Sequence, residues 1–369
     1  MIIADIRKHM HKLRDAAACH YAPLDHEKRT NIISTEIRRD CVNDVCVNRL
    51  LIFMRGSGCQ WAKVNGGCTF CGFWDMTNFS GKISNQEYLS QIYKVLLTSA
   101  FLRSPIVCLY NDGSILVEEE ISLDVVVQIC NIISSYPHVQ KIVLESKIID
   151  ITEEKIKAIQ AGMNGKQLEI SVGFESANPL IRSVCVNKEF TPAIFEEKSE
   201  ILKRLGVHLT ALLMLKPPFI TELQAIEDAV NSLKYLEWFS LNRINFELAT
   251  IEENTLMYDL WKSDLYTTPW IWSMIEILKR RQQLDLKTIV YVSPPNYTAK
   301  AFDYSKNCPF CNEIAIEALF RFNQTHDIKE FDNLDCACKE KWNHILKKQE
   351  VYGDFSEHQA EDIFKELIS

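Results

Sequence analysis

Gly58-Cys59-Gln60-Trp61-Ala62-Lys63-Val64-Asn65-Gly66-Gly67-Cys68-Thr69-Phe70-Cys71-Gly72-Phe73 sets three cysteines at C-x8-C-x2-C, directly after the apolar run Leu50-Leu51-Ile52-Phe53-Met54. A loop leaving a strand is where a cofactor would sit. Three thiolates can hold three irons of a [4Fe–4S] cube, because such clusters are held by cysteine thiolates, and the fourth iron then stays open to a ligand. An open iron implies chemistry, since a purely structural cluster has no need of a vacancy.

Outward from this loop, short β-branched runs alternate with longer amphipathic stretches, as expected of βα units around a parallel sheet. The strands expected are Leu50–Met54, Ile106–Tyr110, Lys141–Glu145, Leu168–Phe174, Leu209–Leu215 and Arg243–Ala249, with helices near 84–101, 122–136, 152–162, 192–206 and 221–238. Ser122, Thr152 and Thr191-Pro192 stand where helices start, as capping residues and a proline in the first turn do. Six such units predict an α/β fold, a partial (β/α)6 TIM-like barrel over 49–290. Right-handed crossovers would bring the strand C-termini to one face, where ligands of such barrels gather. Polar residues do follow the strands: Asn111-Asp112-Gly113-Ser114, Glu145-Ser146-Lys147, Glu175-Ser176 and Lys216-Pro217-Pro218, with Glu247 near the end of the sixth. By composition alone Asn111–Ser114 is a turn; its place after the second strand points to a ligand.

Residues 1–48 open with Ile2, Ile6, Met10 and Leu13 at helical spacing and read as a helical cap. Beyond about 290, Ser293-Pro294-Pro295-Asn296 reads as a linker to a module over 291–369, where Cys308-x2-Cys311 and Cys336-x-Cys338 flank a helix-like stretch. Four cysteines so paired can close a tetrahedral zinc site that contributes folding energy. An auxiliary iron–sulfur cluster and free thiols are the alternatives, and structural zinc is the expectation.

The composition, 47% hydrophobic and 24% charged, is that of a folded globular chain. No apolar run approaches the ~18 residues of a membrane span, and the charged start does not resemble a secretory signal, so a cytoplasmic protein without membrane contact is expected. In that compartment thirteen cysteines point to metal binding and buried thiols, not disulfides. A net charge of -8 weighs against broad nonspecific affinity for nucleic acid. No Ser-His-Asp set and no G-x4-G-K-[ST] loop is discernible, which weakens hydrolase and nucleoside-triphosphatase readings.

These residues resemble the radical S-adenosylmethionine (SAM) enzymes. That superfamily usually shows C-x3-C-x2-C, whereas longer first spacings occur in the branch containing the Elongator catalytic subunit. Most of the chain resembles the archaeosine synthase radical SAM subunit family. The similar segments are Gly58–Phe73, Asn111–Ser114, Val172-Gly173-Phe174-Glu175-Ser176, Val186-Asn187-Lys188, Leu215–Glu222, Pro269–Ser273 and Cys336-Ala337-Cys338-Lys339 with Trp342. Glu189 departs from the glycine expected there.

The resemblance implies that Cys59, Cys68 and Cys71 ligate a [4Fe–4S] cluster and that SAM binds its open iron, yielding a 5′-deoxyadenosyl radical. It places Phe70, Gly72 and Phe73 near the adenine and Asn111, Asp112, Gly113 and Ser114 at the methionyl amine. Glu145, Glu175, Ser176, Arg182 and Lys216 are further expected contacts, and Cys308, Cys311, Cys336 and Cys338 the zinc ligands. The implied reaction is lyase-type cleavage of a lysine carbon–nitrogen bond on a 7-deazaguanine–lysine adduct in tRNA, which forms archaeosine. A lysine-transferring synthase subunit and a reductant such as ferredoxin or flavodoxin would be partners. Rival readings are a radical SAM enzyme acting on a small molecule or peptide and a non-catalytic zinc-dependent binding protein.

Overall fold

The structure, a computed structural model, describes residues 2–18, 24–42, 45–73, 81–295 and 301–369. Asn296, placed in the expected linker, lies outside them. The expected partial barrel is present, with additions. Strands β1 (Ser34–Val42), β2 (Val45–Phe53), β3 (Ile106–Tyr110), β4 (Lys141–Ser146), β5 (Gln167–Glu175), β6 (His208–Leu215) and β7 (Arg243–Leu248) share a sheet with β9 (Val290–Val292). A two-residue ladder joins β8 (Thr250–Ile251) to β10 (Asp303–Tyr304). The main sheet runs β1-β2-β3-β4-β5-β6-β7-β9, parallel throughout except that β1 lies antiparallel to β2.

Thus the first 48 residues are not helical throughout: after the helix Ile2–Ala18 they supply β1. That strand reads Ser34-Thr35-Glu36-Ile37-Arg38-Arg39-Asp40, with no apolar run to betray it. Its inward residues are charged because they meet other charges. The sheet curls until β1 approaches β9. The Tyr291 hydroxyl donates to the Arg39 carbonyl, Arg38 Nη1 to Ser293 Oγ at 3.3 Å, and Arg243 Nη1 to Asp40 Oδ2 at 2.8 Å.

Strand pleat sorts the side chains into two faces. The outer face of Leu50, Ile52, Val107, Leu109, Ile142 and Leu144 belongs to the large core beneath the helices. The inner face is layered. At the strand N-termini stand Arg49, Lys141, Glu169, Thr210 and Arg243, all buried. Above them Leu51, Ile106, Cys108 and Val143 form a small apolar cluster with Phe53 and Tyr110 packed against it. At the C-terminal ends Phe53, Tyr110, Glu145, Glu175, Met214 and Glu247 face a cavity.

The helices begin where capping chemistry places them. Ser122, Thr152 and Thr191 accept the amide hydrogens of Val125, Lys155 and Ile194, and Thr221 with Gln224 forms a capping box. After β9, the helices Asn312–Thr325, Cys338–Gln349 and Glu357–Ile368 share one continuous apolar core with the barrel helices, to which Leu319, Trp342 and Phe364 belong. The first and last helices also meet: His9 Nε2 lies 2.8 Å from Asp259 Oδ2, and its ring packs edge-on against Phe364. Among the described residues no helix is long and apolar enough to cross a membrane.

Candidate active site

Cys59 caps the short helix Gln60–Asn65, which ends in two successive left-handed glycines, Gly66 (φ 77°) and Gly67 (φ 81°). Only glycine adopts that pair without strain. It also lets the first helix dock on the turn, since a Cβ on Gly66 would lie 2.8 Å from Met10 Cβ, and one on Gly67 2.8 Å from Arg14 Cζ. The loop is then stitched down from three sides. Asn187 Nδ2 donates to the carbonyls of Asn65 and Gly67, both at 2.8 Å, while its own carbonyl accepts the Trp61 indole at 2.7 Å. Thr69 bonds to the carbonyls of Cys185 and Val186, and Gly72 N–H donates to Glu252 Oε2 at 2.8 Å. Asn187 holds a left-handed φ of 57° to do this, a strain these three hydrogen bonds offset.

Cys59, Cys68 and Cys71 line one cavity of about 210 Å³ at the C-terminal ends of β2 to β7. Burial pushes the Cys59 thiol up to about 12 and raises Cys68 and Cys71 as well. The charges of Lys188, Arg14 and Lys147 pull the other way at Cys68. Burial thus keeps the free thiols protonated, and a metal centre bound by them would displace those protons. They do not form a single-ion set: among the described residues, only the C-terminal cysteines bring their ligand atoms within 4.8 Å of one another. A cube of four irons and four sulfides keeps its thiolates farther apart than one ion does, so the loop suits a cluster better than zinc.

Beside the thiols, Asn111 and Asp112 are each only 7% exposed; the Asn111 amide makes no hydrogen bond, and Asp112 makes none of good geometry, the Gly58 amide and its own lying near enough only to lower its pKa. Buried polar groups are nearly always paired, so this corner of the cavity suits a polar ligand. Burial, and next the charge of Glu120, pushes the Asp112 carboxyl up to about 7. The turn itself is held by Glu120, which accepts the Ser114 N–H at 2.7 Å and the Gln60 N–H at 2.8 Å, tying Asn111–Ser114 to the cysteine loop. Gly113 makes room for that carboxylate, into which a Cβ would project.

On the remaining wall, Glu175 (φ 66°) bends back from a β-bulge at Gly173 to pair with Lys188. Burial pushes the Glu145 carboxyl up to about 8 and raises Glu247. Phe70 and Phe73 line the cavity, Phe73 stacking on Phe53 and Phe53 on Tyr110.

The structure therefore gathers Phe70, Phe73, Asn111, Asp112, Gly113, Glu145 and Glu175 around the three cysteines. It does not bring Gly72, Ser114, Ser176, Arg182 or Lys216 into the cavity lining. Ser114 Oγ lies 2.9 Å from Ser146 Oγ and 2.7 Å from Asp150 Oδ2. Ser176 donates to Asp228 at 2.6 Å. Arg182 donates to the Ser176 and Phe190 carbonyls and stacks over the Phe190 ring. Lys216 pairs with Glu222 at 2.9 Å and donates to Thr267. These side chains tie strand-end loops to the scaffold. Glu120 and Glu252 carry no signal in the sequence, and Asn187 and Lys188 enter there only within a similar segment, because the fold and not a local pattern sets what each of them holds.

The second cysteine set is closed. Cys308 Sγ lies 3.7 Å from Cys311 and 3.5 Å from Cys336, and Cys311 lies 3.5 Å from Cys338. With Zn–S of about 2.3 Å a tetrahedron has S···S edges of about 3.8 Å, so four thiolates so spaced could hold one ion. The Trp272 indole donates to Cys338 Sγ at 3.2 Å, and the Trp342 indole to Ser273 at 2.9 Å, fastening this site to the helix Ile271–Gln283. Both tryptophans are core residues.

No family model matches the chain. The chain is 30% identical over 316 residues to archaeosine synthase subunit beta of Methanosarcina acetivorans, covering 85% of this chain and 90% of that protein. Against the subunit of the same name from Thermococcus kodakarensis the identity is 25% over 303 residues, 81% of this chain and 91% of the other. Among solved structures, the Elp3 of Methanocaldococcus infernus with its N-terminus deleted superposes with a TM-score of 0.46 at 14% identity, over 68% of this chain and 59% of that one. Only a loose likeness of fold remains at that distance. The sequence relatives decide the matter: the chain belongs to the archaeosine synthase subunit beta family, the family that its motifs resemble.

Proposed function

We propose that this protein is the radical SAM subunit of an archaeosine synthase, with a [4Fe–4S] cluster on Cys59, Cys68 and Cys71. The observation that carries the reading is the cavity where these thiols meet the buried Asn111 and Asp112, in a chain 30% identical to a subunit of that name. When bound, the cluster and SAM supply a one-electron bond cleavage that leaves a 5′-deoxyadenosyl radical.

The protein's own part is to bind, orient and exclude water. Asp112 would accept from the methionyl amino group, and Asn111 offers both a donor and an acceptor beside it. Phe70 and Phe73 shield the adenine. Glu145 and the Glu175–Lys188 pair receive the ribose and the polar end of the methionyl group. Gly113 lets the backbone approach, and Glu252 fixes Cys71 through the Gly72 amide. Ser114, Ser176, Arg182 and Lys216 are positioning residues for these loops.

The substrate is tRNA carrying lysine joined to a 7-deazaguanine base, and the reaction is lyase-type cleavage of a lysine carbon–nitrogen bond. A lysine-transferring subunit prepares that adduct, and ferredoxin or flavodoxin delivers the electron in the cytoplasm. Zinc on Cys308, Cys311, Cys336 and Cys338 stabilises the C-terminal region. Anaerobically reconstituted protein with dithionite should convert SAM to 5′-deoxyadenosine, and Cys71→Ala should abolish both this and the brown absorption near 400 nm that iron–sulfur clusters roughly show. Unchanged turnover in that variant would sink the reading. The substrate is tested separately, by mass spectrometry of tRNA nucleosides from cells lacking the gene.

A further inference from the structure

At the end of the barrel away from the cysteines, the inner face carries a charge network that the reaction does not use. Arg49 and Arg243 share Asp40 Oδ2 at 2.9 and 2.8 Å, and Lys141 meets Glu169 Oε2 at 3.0 Å. Arg243 Nη2 lies 3.7 Å from Glu169 Oε1, which also accepts the Thr210 hydroxyl at 2.9 Å. The three cations are 4%, 5% and 8% exposed and Glu169 is fully buried. Among the described residues this is three positive charges against two carboxylates. An unmatched charge in a low-dielectric interior is costly and draws a counter-charge.

The geometry says where the counter-charge belongs. Arg243 Nε is buried and has no acceptor. Arg243 lines a cavity of about 90 Å³, together with Arg39, Lys141, Asn242, Tyr291 and His326. Guanidinium and ammonium groups dominate its wall, while the amides of Asn242 and Asn323 already donate to Glu169 Oε2 and to the Val292 carbonyl. The one carboxylate there, Asp40, is already shared by two arginines. The cavity lies where β1 meets β7 and β9, beside the left-handed cap His326 (φ 53°) that ends the helix Asn312–Thr325.

We propose that this cavity binds a small tetrahedral oxyanion of the phosphate class, held by Arg243 from within and by Arg39 and His326 at its rim. The anion neutralises the excess buried charge and bridges the two edges of the sheet. Its site is independent of the reaction assigned to the other end of the barrel.

The melting temperature of the reconstituted holoenzyme should rise saturably with sodium phosphate or sulfate and not with sodium chloride at matched ionic strength. Arg39→Gln and His326→Gln, both at the rim, should flatten that rise while leaving the melting temperature in chloride near the wild-type value. Crystals soaked in sodium selenate should show an anomalous peak within hydrogen-bond distance of Arg243 Nε. No peak there, or a rise that is the same in wild type and Arg39→Gln, overturns the proposal. A peak without a saturable rise marks an adventitious ion only, and overturns it too.

Discussion

Gly113→Ala tests how the cavity floor is held. The glycine does not have a left-handed φ, so alanine adds no backbone strain and its whole cost is contact. The new Cβ would lie 2.6 Å from Glu120 Cδ and 2.8 Å from Oε1. A carboxylate on a flexible side chain could swing away at little cost, but this one is 2% exposed and pinned by the Ser114 and Gln60 amides. Each hydrogen bond to a charged acceptor contributes about 1.5–3 kcal/mol, so moving Glu120 off both costs about 3–6 kcal/mol. That is a large part of the 5–15 kcal/mol typical of a domain. Urea denaturation of the anaerobic protein should show it as a lower midpoint at constant m-value. The double variant Gly113→Ala/Glu120→Ala should be less stable than Glu120→Ala alone by no more than about 1 kcal/mol, because the clash has gone and neighbouring effects do not add. A Gly113→Ala protein within about 1 kcal/mol of wild type, or costs that sum in the double variant, would refute the reasoning.

Trp272→Phe removes the indole N–H bond to Cys338 while keeping the ring, and should weaken metal binding about 10–100-fold, read by chelator competition, with the fold intact. Asp112 is raised to about 7 in the ligand-free protein. Its contribution to stability is therefore full below the ordinary carboxylate value and lost as pH rises through about 7. A hydrogen-bond donor bound beside the carboxylate lowers that value again, so SAM binding near pH 6 should release close to one proton more in wild type than in Asp112→Asn, seen as a larger buffer dependence of the enthalpy in titration calorimetry. A buffer-independent enthalpy, or one unchanged in Asp112→Asn, would count against the assignment.

Much of this molecule is legible in its sequence, for reasons that can be named. Strands β3, β4, β6 and the second half of β2 are apolar runs because both faces are buried, whereas β5 and β7 keep Leu, Ile, Val and Phe to the outer face, and Ser122, Thr152 and Thr191 mark helix starts because an exposed amide needs an acceptor. Strand β1 escaped because its inward Asp40 serves Arg49 of β2 and Arg243 of β7, and Arg38 the Ser293 hydroxyl just after β9, partners that no local pattern contains. β9, three residues long, is too short to signal itself. In the site, the rule that chemistry follows a strand points to Asn111, Asp112, Glu145 and Glu175, which line the cavity with the cysteines. Lys216, from the same rule, and Arg182, from the resemblance, lie outside that lining, bonded to Glu222 and to backbone carbonyls. The rule passes over Asn187, whose role depends on a left-handed turn and on a loop 120 residues away.

The contacts between β1 and β9 have a mechanical consequence. Side chains stitch this seam, through Tyr291 to the Arg39 carbonyl, Arg38 to Ser293 and Arg243 to Asp40, and among the described residues no ladder of backbone bonds crosses it. Everywhere else around the barrel, separating neighbouring strands breaks a row of amide–carbonyl pairs. Along this line alone the closure of the wall is written in side chains, so substitutions at Arg38, Asp40, Arg243 and Tyr291 bear on it as they do nowhere else.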